Sequence, residues 1–179
     1  MRQGIKYRGA IKDALLTVLK IVPAFQEGSA DRALGRWYYK VPGLFGGSKQ
    51  KSEAHLRQSL TYAPQSTASH FLLAETLFDL GRDAEARAEL QKVTEKARND
   101  GERRTALFGL TVLAVDGGKM NDALAQVDKQ YALGEKTKDV PAMAGDLQLK
   151  GNILVEAGKP DDARAQFEQA LKLTEGSNL

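Results

Sequence analysis

The two histidines, His55 and His70, are the first residues to test for chemistry, because imidazole serves in both metal binding and proton transfer. They fall on different predicted helices, and neither has a carboxylate at ligand spacing beside it. The chain contains no cysteine, and two histidines alone do not complete a zinc site. We therefore predict that both histidines are structural and that the chain holds no metal.

The segment Gly43–Lys49 has a composition close to that of a phosphate-binding loop. Its serine, Ser48, precedes Lys49 instead of following it, and no predicted strand comes before the segment. Because a P-loop requires a strand, a glycine loop and a helix in that order, this segment is predicted to be a turn. There is also no thiol nucleophile and no Gly-x-Ser-x-Gly motif. The sequence predicts neither an enzyme nor a bound cofactor.

A mixture of cations and aromatic rings in the first third of the chain raises the alternative of nucleic-acid binding. Residues 1–66 hold 11 Lys and Arg against 4 Asp and Glu, whereas residues 67–179 hold 15 against 19. Aromatic rings that alternate with basic residues can stack on bases and contact phosphates. The residues concerned are Arg36, Trp37, Tyr38, Tyr39, Lys40, Lys49, Lys51 and Arg57. Because the three rings have core spacing within one short helix, we expect two of them to be core, and nucleic-acid binding is not predicted.

No apolar run reaches the roughly 20 residues that a membrane span needs. The longest candidate, residues 14–25, is interrupted by Thr17, Lys20 and Pro23. Charged residues between Gly4 and Asp13 argue against a signal peptide. The expected compartment is the cytoplasm by default, or the periplasm if a leader has been removed.

An internal repeat is the strongest signal in the sequence. Helix-like segments that follow glycine turns at Gly81, Gly117-Gly118 and Gly158 share a small residue, a larger apolar residue four positions later and a further residue three after that. The trios are Ala86/Leu90/Val93, Ala123/Val127/Gln130 and Ala163/Phe167/Ala170, with earlier copies at Ser52/Leu56/Ser59 and Ile11/Leu15/Val18. Successive copies are 41, 34, 37 and 40 residues apart. Periods of this length indicate stacked helix pairs.

Small residues and turn residues support the same interpretation. Ala74 and Gly151, on the partner helices upstream, would allow close approach of two helices. Glycine at each turn favours the left-handed conformation that ends a helix, and Asp83, Asn121 and Asp161 are expected to cap the helices that follow.

These residues resemble the tetratricopeptide-repeat (TPR) family from about Ile11 to Leu173. The last copy matches best, with Leu147, Gly151, Leu154, Gly158, Ala163, Phe167 and Ala170 at the family's spacings and no closing proline near Glu175. The segment Leu34–Lys51 also looks like bacterial TPR proteins related to the TRAP-transporter T-component group. The family resemblance implies an all-α, right-handed α-solenoid of antiparallel helix pairs, with four to four and a half repeats, that binds a protein or peptide.

The repeats divide the chain into five expected segments within a single solenoid, residues 1–179. They are a capping or half-repeat helix at 1–22, an irregular repeat at 29–64, and repeats at 67–98, 101–134 and 141–175. Around Lys96–Arg104 the spacing lengthens and the composition becomes highly charged. This change fits an ordinary extended helix pair, or a seam between two joined TPR fragments.

In TPR proteins the first helix of each pair lines a concave groove, so the resemblance implies a set of partner-binding candidates. They are Trp37, Phe71, Glu75, Phe78, Asp79, Phe108, Val112, Asp116, Gln148, Asn152 and Glu156. Apolar anchors among carboxylates favour a partner with apolar and basic side chains. Family members that clamp a C-terminal carboxylate use Lys, Arg and Asn on this face. Among the candidates above only Asn152 is of these types, so a carboxylate clamp is not expected.

Two other functions remain open at this point. The exposed ends of a helical repeat can stack, which would make the chain a structural or self-assembling scaffold and a homo-oligomer. The T-component resemblance would instead imply a transporter-accessory protein that presents small solutes.

Overall fold

The computed structural model describes the backbone of residues 2–176 and the side chains of residues 7–176. Within these residues the secondary structure is entirely helical, which confirms the all-α helical-repeat class. The helices are α1 (Arg2–Ile21), α2 (Ser29–Lys40), α3 (Lys49–Tyr62), α4 (Thr67–Phe78), α5 (Asp83–Lys96), α6 (Asp100–Asp116), α7 (Met120–Thr137), α8 (Val140–Glu156) and α9 (Pro160–Glu175). A single 3₁₀ turn, Gly43–Phe45, follows α2, so the segment that resembles a phosphate loop is a turn, as predicted.

The chain divides into two compact units, Met1–Lys96 (unit 1) and Ala97–Leu179 (unit 2). In unit 1, α2 pairs with α3 and α4 pairs with α5, while α1 packs on α2 and α3 on α4. Short connections make each pair antiparallel. Leu34, Leu56, Leu73 and Leu77 are completely buried between the helices. A Cβ atom on Gly35 would lie 2.5 Å from Leu56 Cγ, so only glycine permits this approach of α2 to α3.

Unit 2 has the same construction, with α6 paired to α7, α8 paired to α9, and α7 packed on α8. Its core contains Ala114, Ala123, Val127 and Ile153. Gly151 lies against the ring of Phe167, where a Cβ atom would be 2.6 Å from Phe167 Cζ. The predicted role of Gly151 in close helix approach is therefore confirmed.

The predicted trios of α3, α5 and α7 occupy packed faces, whereas in α9 Ala163 and Ala170 are buried but Phe167 is 38% exposed. Ser52, Leu56 and Ser59 are buried, as are Ala86, Leu90 and Val93. Gln130, the poor match in its trio, is also buried. Its amide is accommodated in the core because its Nε2 donates a hydrogen bond to Thr111 Oγ1 at 3.1 Å. In α1, by contrast, Ile11 is half exposed.

The helix starts differ from the prediction in part. Gly81, Gly118 and Gly158 have φ angles of 71°, 67° and 71°, which confirms the left-handed turns. The prediction that Asn121 and Asp161 cap the following helices was wrong. Because α7 begins at Met120 and α9 at Pro160, both residues lie inside the first turn. Asp83 is likewise the first residue of α5 and not the residue before it.

Candidate functional site

A groove between the first helices of the two pairs in unit 2 is the main candidate site. It has a volume of about 440 Å³. We call it the α6/α8 groove, and its lining residues are Gly101, Arg104, Thr105, Phe108, Gln130, Gly145, Asp146 and Leu149. Helices α6 and α8 provide the two walls, and Gln130 reaches it from α7.

Apolar side chains are exposed beside and along this groove. Phe108 lines the groove and is 51% exposed. Val112, one turn further along α6, is 41% exposed, and Val155 on α8 is 54% exposed. Removing large apolar side chains from water makes the free energy of binding more favourable. These exposed side chains are therefore candidate anchors for a partner.

The other candidates predicted in unit 2 lie on the same two helices but do not line the groove. Asp116, Gln148, Asn152 and Glu156 are exposed. They add two carboxylates and two amides to the solvent-facing surface of α6 and α8.

Two of the lining residues, Arg104 and Asp146, form an ion pair that the sequence pattern did not single out. Arg104 Nη2 donates to Asp146 Oδ1 at 2.5 Å and to the carbonyl oxygen of Ala142 at 3.1 Å. Arg104 Nη1 donates to the carbonyl oxygen of Gln130 at 2.7 Å. Arg104 therefore ties α6 to both α7 and α8. Its position one turn before Phe108 is the signal that could have revealed it.

Asp146 is 3% exposed, so its carboxylate is held away from water. Burial raises the pKa of Asp146 above its ordinary value, and the charge of Asp139 adds to this effect, while the hydrogen bond and charge of Arg104 act in the opposite direction. Within residues 7–176, Asp146 Oδ2 has no hydrogen-bond partner.

The candidates in unit 1 are more involved in internal contacts. Trp37 Nε1 donates to the carbonyl oxygen of Arg8 at 3.0 Å, so this ring packs toward α1. Asp79 accepts from Lys49 Nζ at 2.5 Å. Phe71, Glu75 and Phe78 are half-buried on α4.

Tyr39, which belongs to the basic and aromatic cluster but not to the predicted partner-binding residues, lies beside these carboxylates. Burial raises its pKa to about 12, with further contributions from the charges of Asp79 and Glu75 and from a hydrogen bond to Asp79. The ammonium of Lys49 lies 3.4 Å from the centroid of the Tyr39 ring. This polar cluster is therefore largely satisfied within unit 1.

Both histidines are bonded within unit 1. His55 Nδ1 lies 2.7 Å from Asp31 Oδ1, and its ring stacks on Tyr38. His70 Nδ1 lies 2.5 Å from Glu89 Oε2, and its Nε2 lies 3.0 Å from the carbonyl oxygen of Pro64. In the described part of the chain no group of three or more His, Cys, Asp and Glu side chains is arranged to hold a metal ion.

None of the described helices combines the length and apolar character needed to cross a membrane.

Comparisons with known proteins agree on the fold. No curated protein matches this sequence. A crystal structure of MamA is similar with a TM-score of 0.75 at 20% identity, over 99% of this chain and 94% of that one. TPR-like repeats of a putative kinesin light chain from Podosopora anserina give a TM-score of 0.71 at 18% identity, over 97% and 92%. At these identities the structures show a shared fold, and they do not bear on the T-component resemblance.

The sequence itself matches a protein family, described as the tetratricopeptide repeat-like domain, over residues 46–178. The matched range contains α3 to α9 and so covers most of the chain. This chain belongs to the tetratricopeptide repeat-like domain family.

Proposed function

We propose that this chain binds an extended segment of a partner protein and that the α6/α8 groove is its principal site. The TPR fold generally mediates protein–protein interaction. The observation that carries the proposal is the exposed Phe108 in a groove that is also lined by the partly exposed Arg104 and its ion-pair partner, the buried Asp146. A large aromatic anchor next to a fixed polar group is the arrangement that gives an interface both affinity and orientation.

The charges around the groove favour apolar and basic side chains in the partner. Asp116 and Glu156 are exposed on the two helices that form it, so a segment rich in carboxylates would be repelled. A C-terminal carboxylate clamp is not part of the proposal, because Asn152 is the only one of the predicted partner-binding residues that matches such a site.

In this proposal the first helices of unit 1 form a separate contact surface of their own. On α4, Phe71 and Phe78 contribute their exposed edges and Glu75 contributes charge, while the charge of Asp79, beside them, is offset by Lys49. Trp37 contributes the part of its ring that α1 leaves uncovered.

Selection of peptides from a displayed random library against the whole chain tests the proposal. The test variant is Phe108→Ala, and the matched control is Leu171→Ala, which removes a similarly exposed apolar side chain from α9. Selected peptides are expected to bind Phe108→Ala at least about tenfold more weakly, since truncation of a central anchor costs upward of roughly 1.4 kcal/mol. Binding to Leu171→Ala is expected to be unchanged.

Both variants must first show wild-type circular dichroism and thermal unfolding. The proposal fails if the two variants bind the selected peptides equally well, or if a library of high diversity yields no peptide that binds the wild-type chain.

A specific observation also favours the scaffold alternative, in which a second copy of the chain covers α1. Along α1 and the turn after it an apolar stripe is exposed, formed by Tyr7, Ile11, Ile21, Val22 and Phe25. Light scattering over a range of concentrations tests this function. If the chain is a self-assembling scaffold, the measured mass rises with concentration and returns to that of the monomer in an Ile11→Ser, Ile21→Ser double variant. A wild-type chain that is monomeric at all concentrations contradicts this function.

A further inference from the structure

We infer that the exposed stripe of α1 packs on the exposed face of α9 in a second copy of the chain, so that copies associate head to tail. This inference rests on the scaffold alternative above and deepens it, because it names the surface that the second copy contributes. It starts from apolar side chains that face water at both places. On α1, Ile11 is 50% exposed and Ile21 is 73% exposed. On α9, Phe167 is 38% exposed and Leu171 is 58% exposed.

The packing of α1 and α9 leaves one face of each helix open. Helix α3 contacts both α2 and α4, and α7 contacts both α6 and α8. Among the described residues the principal contact of α1 is with α2, and that of α9 is with α8. Removing apolar side chains from water is favourable, so each of these two helices can accept one further helix.

On α9 the exposed apolar side chains lie next to carboxylates. Phe167 and Leu171 are four residues apart, so they lie on the same side of the helix. Glu168 and Glu175 are exposed, and both lie within about 60° of Leu171 around the helix axis. This face of α9 therefore presents apolar anchors with negative charge beside them.

Charge complementarity favours α9 as the surface that covers α1. Helix α1 contains five Lys and Arg against one Asp, whereas α9 contains two Lys and Arg against four Asp and Glu. These are the most positive and the most negative of the helices α1 to α9. On α1, Lys12 and Lys20 directly adjoin Ile11 and Ile21 in the sequence. A second copy of α1 would bring like charges together, whereas α9 brings opposite charges to the contact.

The contact joins two different faces, so it does not close on itself in a pair of copies. Each pair retains one free α1 and one free α9, and association through such a contact can continue to larger species. No residue of α9 lines the α6/α8 groove. Association through α9 therefore leaves the groove, and binding to it, unaffected.

Sedimentation equilibrium of the whole chain and of charge variants tests the α9 surface. In the α9 variant, Glu168→Lys with Glu175→Lys, self-association should be at least about tenfold weaker than in the wild type, because like charges then meet at the contact. The matched control is Glu95→Lys with Glu135→Lys, which makes the same change in net charge at exposed sites on α5 and α7. The control should associate like the wild type.

A mixture of complementary variants tests both surfaces together. The α1 variant, Ile11→Ser with Ile21→Ser, keeps a wild-type α9, and the α9 variant keeps a wild-type α1. Each variant alone should be largely monomeric. Their equimolar mixture should form a dimer with one copy of each variant and no larger species, and this recovery would also show that both variants are folded.

The outcomes separate this inference from the functions proposed above. If the wild type associates but the mixture does not form the dimer, the contact between α1 and α9 is overturned while the scaffold function stands. The contact is also overturned if the control weakens association as much as the α9 variant does. A wild-type chain that is monomeric up to about 1 mM, where even a weak contact would be populated, overturns both the contact and the scaffold function. Peptide binding that depends on Phe108 is measured independently of all these results.

Discussion

Two buried serines of unit 1 are paired with hydroxyl groups on the neighbouring helix. Ser52 Oγ lies 3.0 Å from Thr76 Oγ1, and Ser59 Oγ donates to Ser69 Oγ at 2.9 Å. Because an unpaired hydroxyl in a core is costly, each serine of the first regular trio requires its partner on α4. The pairing explains how a repeat with two serines at packed positions remains stable.

The His70–Glu89 pair is the most buried ionisable contact of unit 1. Both ring nitrogens of His70 face oxygen atoms, one on Glu89 and one on Pro64. Burial raises the pKa of Glu89, but hydrogen bonds and charge from His70 and Lys92 outweigh burial and hold the pKa below its ordinary value. A carboxyl with a lowered pKa stabilises the folded state above its unfolded pKa, and this contribution is lost as the pH falls through the folded pKa.

We therefore expect Glu89→Gln to be less stable than the wild type at pH 7, by about 1–3 kcal/mol. The difference in unfolding free energy should narrow below about pH 4, near the ordinary pKa of Glu, as the Glu89 carboxyl is protonated in the folded state. Urea unfolding of the wild type and of Glu89→Gln at a series of pH values measures this difference. Glu95→Gln, an exposed site on the same helix, is the control and should match the wild type. A difference that does not narrow down to pH 3 contradicts the lowered pKa of Glu89.

At the scale of elements, the two helices of the later pairs start in different ways, whereas in the first pair α2 follows the left-handed Gly28 and α3 is capped by Ser48. The first helices α4, α6 and α8 begin with side-chain caps, from Ser66, Asn99 and Asp139. The second helices α7 and α9 each follow a glycine with a left-handed backbone conformation. The residues directly before these helices, Lys119 and Lys159, form no side-chain cap. The glycine turn itself sets the entry angle of the second helix.

This difference predicts the effect of cap substitutions. Asn99 Oδ1 accepts from the backbone N–H of Glu102 at 2.9 Å, and Asn99→Ala should cost about 1 kcal/mol of stability. Lys119→Ala, at the equivalent position of α7, should change stability by less than about 0.5 kcal/mol. Chemical denaturation measures the unfolding free energy of both variants. Equal losses of stability would contradict the assignment of Asn99 as the cap of α6.

The contact between α8 and α9 depends on Gly151. Alanine normally stabilises a helix interior by about 1 kcal/mol over glycine, and Gly145→Ala, where space is open, should show that gain. Gly151→Ala should instead lose about 1–2 kcal/mol, because overpacking against Phe167 outweighs the gain. In a Phe167→Leu background the loss should shrink, which a double-mutant cycle in urea measures. If both alanine variants are equally stabilised, the close contact is not limiting.

At the scale of the whole molecule, charge is unevenly distributed between the two units. Unit 1 has 15 Lys and Arg against 10 Asp and Glu, and unit 2 has 11 against 13. Several cations of unit 1 are engaged internally: Lys49 with Asp79 and Tyr39, Arg8 over the Phe45 ring, and Arg57 and Arg82 with Glu53. The basic composition therefore overstates the positive charge that is available to a partner.

On this basis we expect no saturable binding of a 20-nucleotide single-stranded DNA or RNA at about 150 mM salt, since non-specific affinity depends on the number of free cations that neutralise phosphates. Fluorescence anisotropy up to about 100 μM protein, the upper range of non-specific dissociation constants, checks this. Micromolar binding that weakens steeply with added salt would show instead that the basic and aromatic cluster of unit 1 is accessible to phosphates.

Periodic small and apolar residues and glycine turns were sufficient to predict the repeats of this chain, because both act over a few residues along one helix. That local information specified the helix pairs, the left-handed glycines and the fit of Gly151 against its neighbour. It did not predict the cap positions at Asn121 and Asp161, since a glycine turn displaces a helix start by one or two residues at little cost. Nor did it reveal Arg104 with Asp146, or His70 with Glu89, because the partners are 42 and 19 residues apart and their pairing depends on which faces of separate helices meet. The sequence by itself determined the repeat, and only the tertiary structure decided which buried polar groups are satisfied, because their partners lie on separate helices.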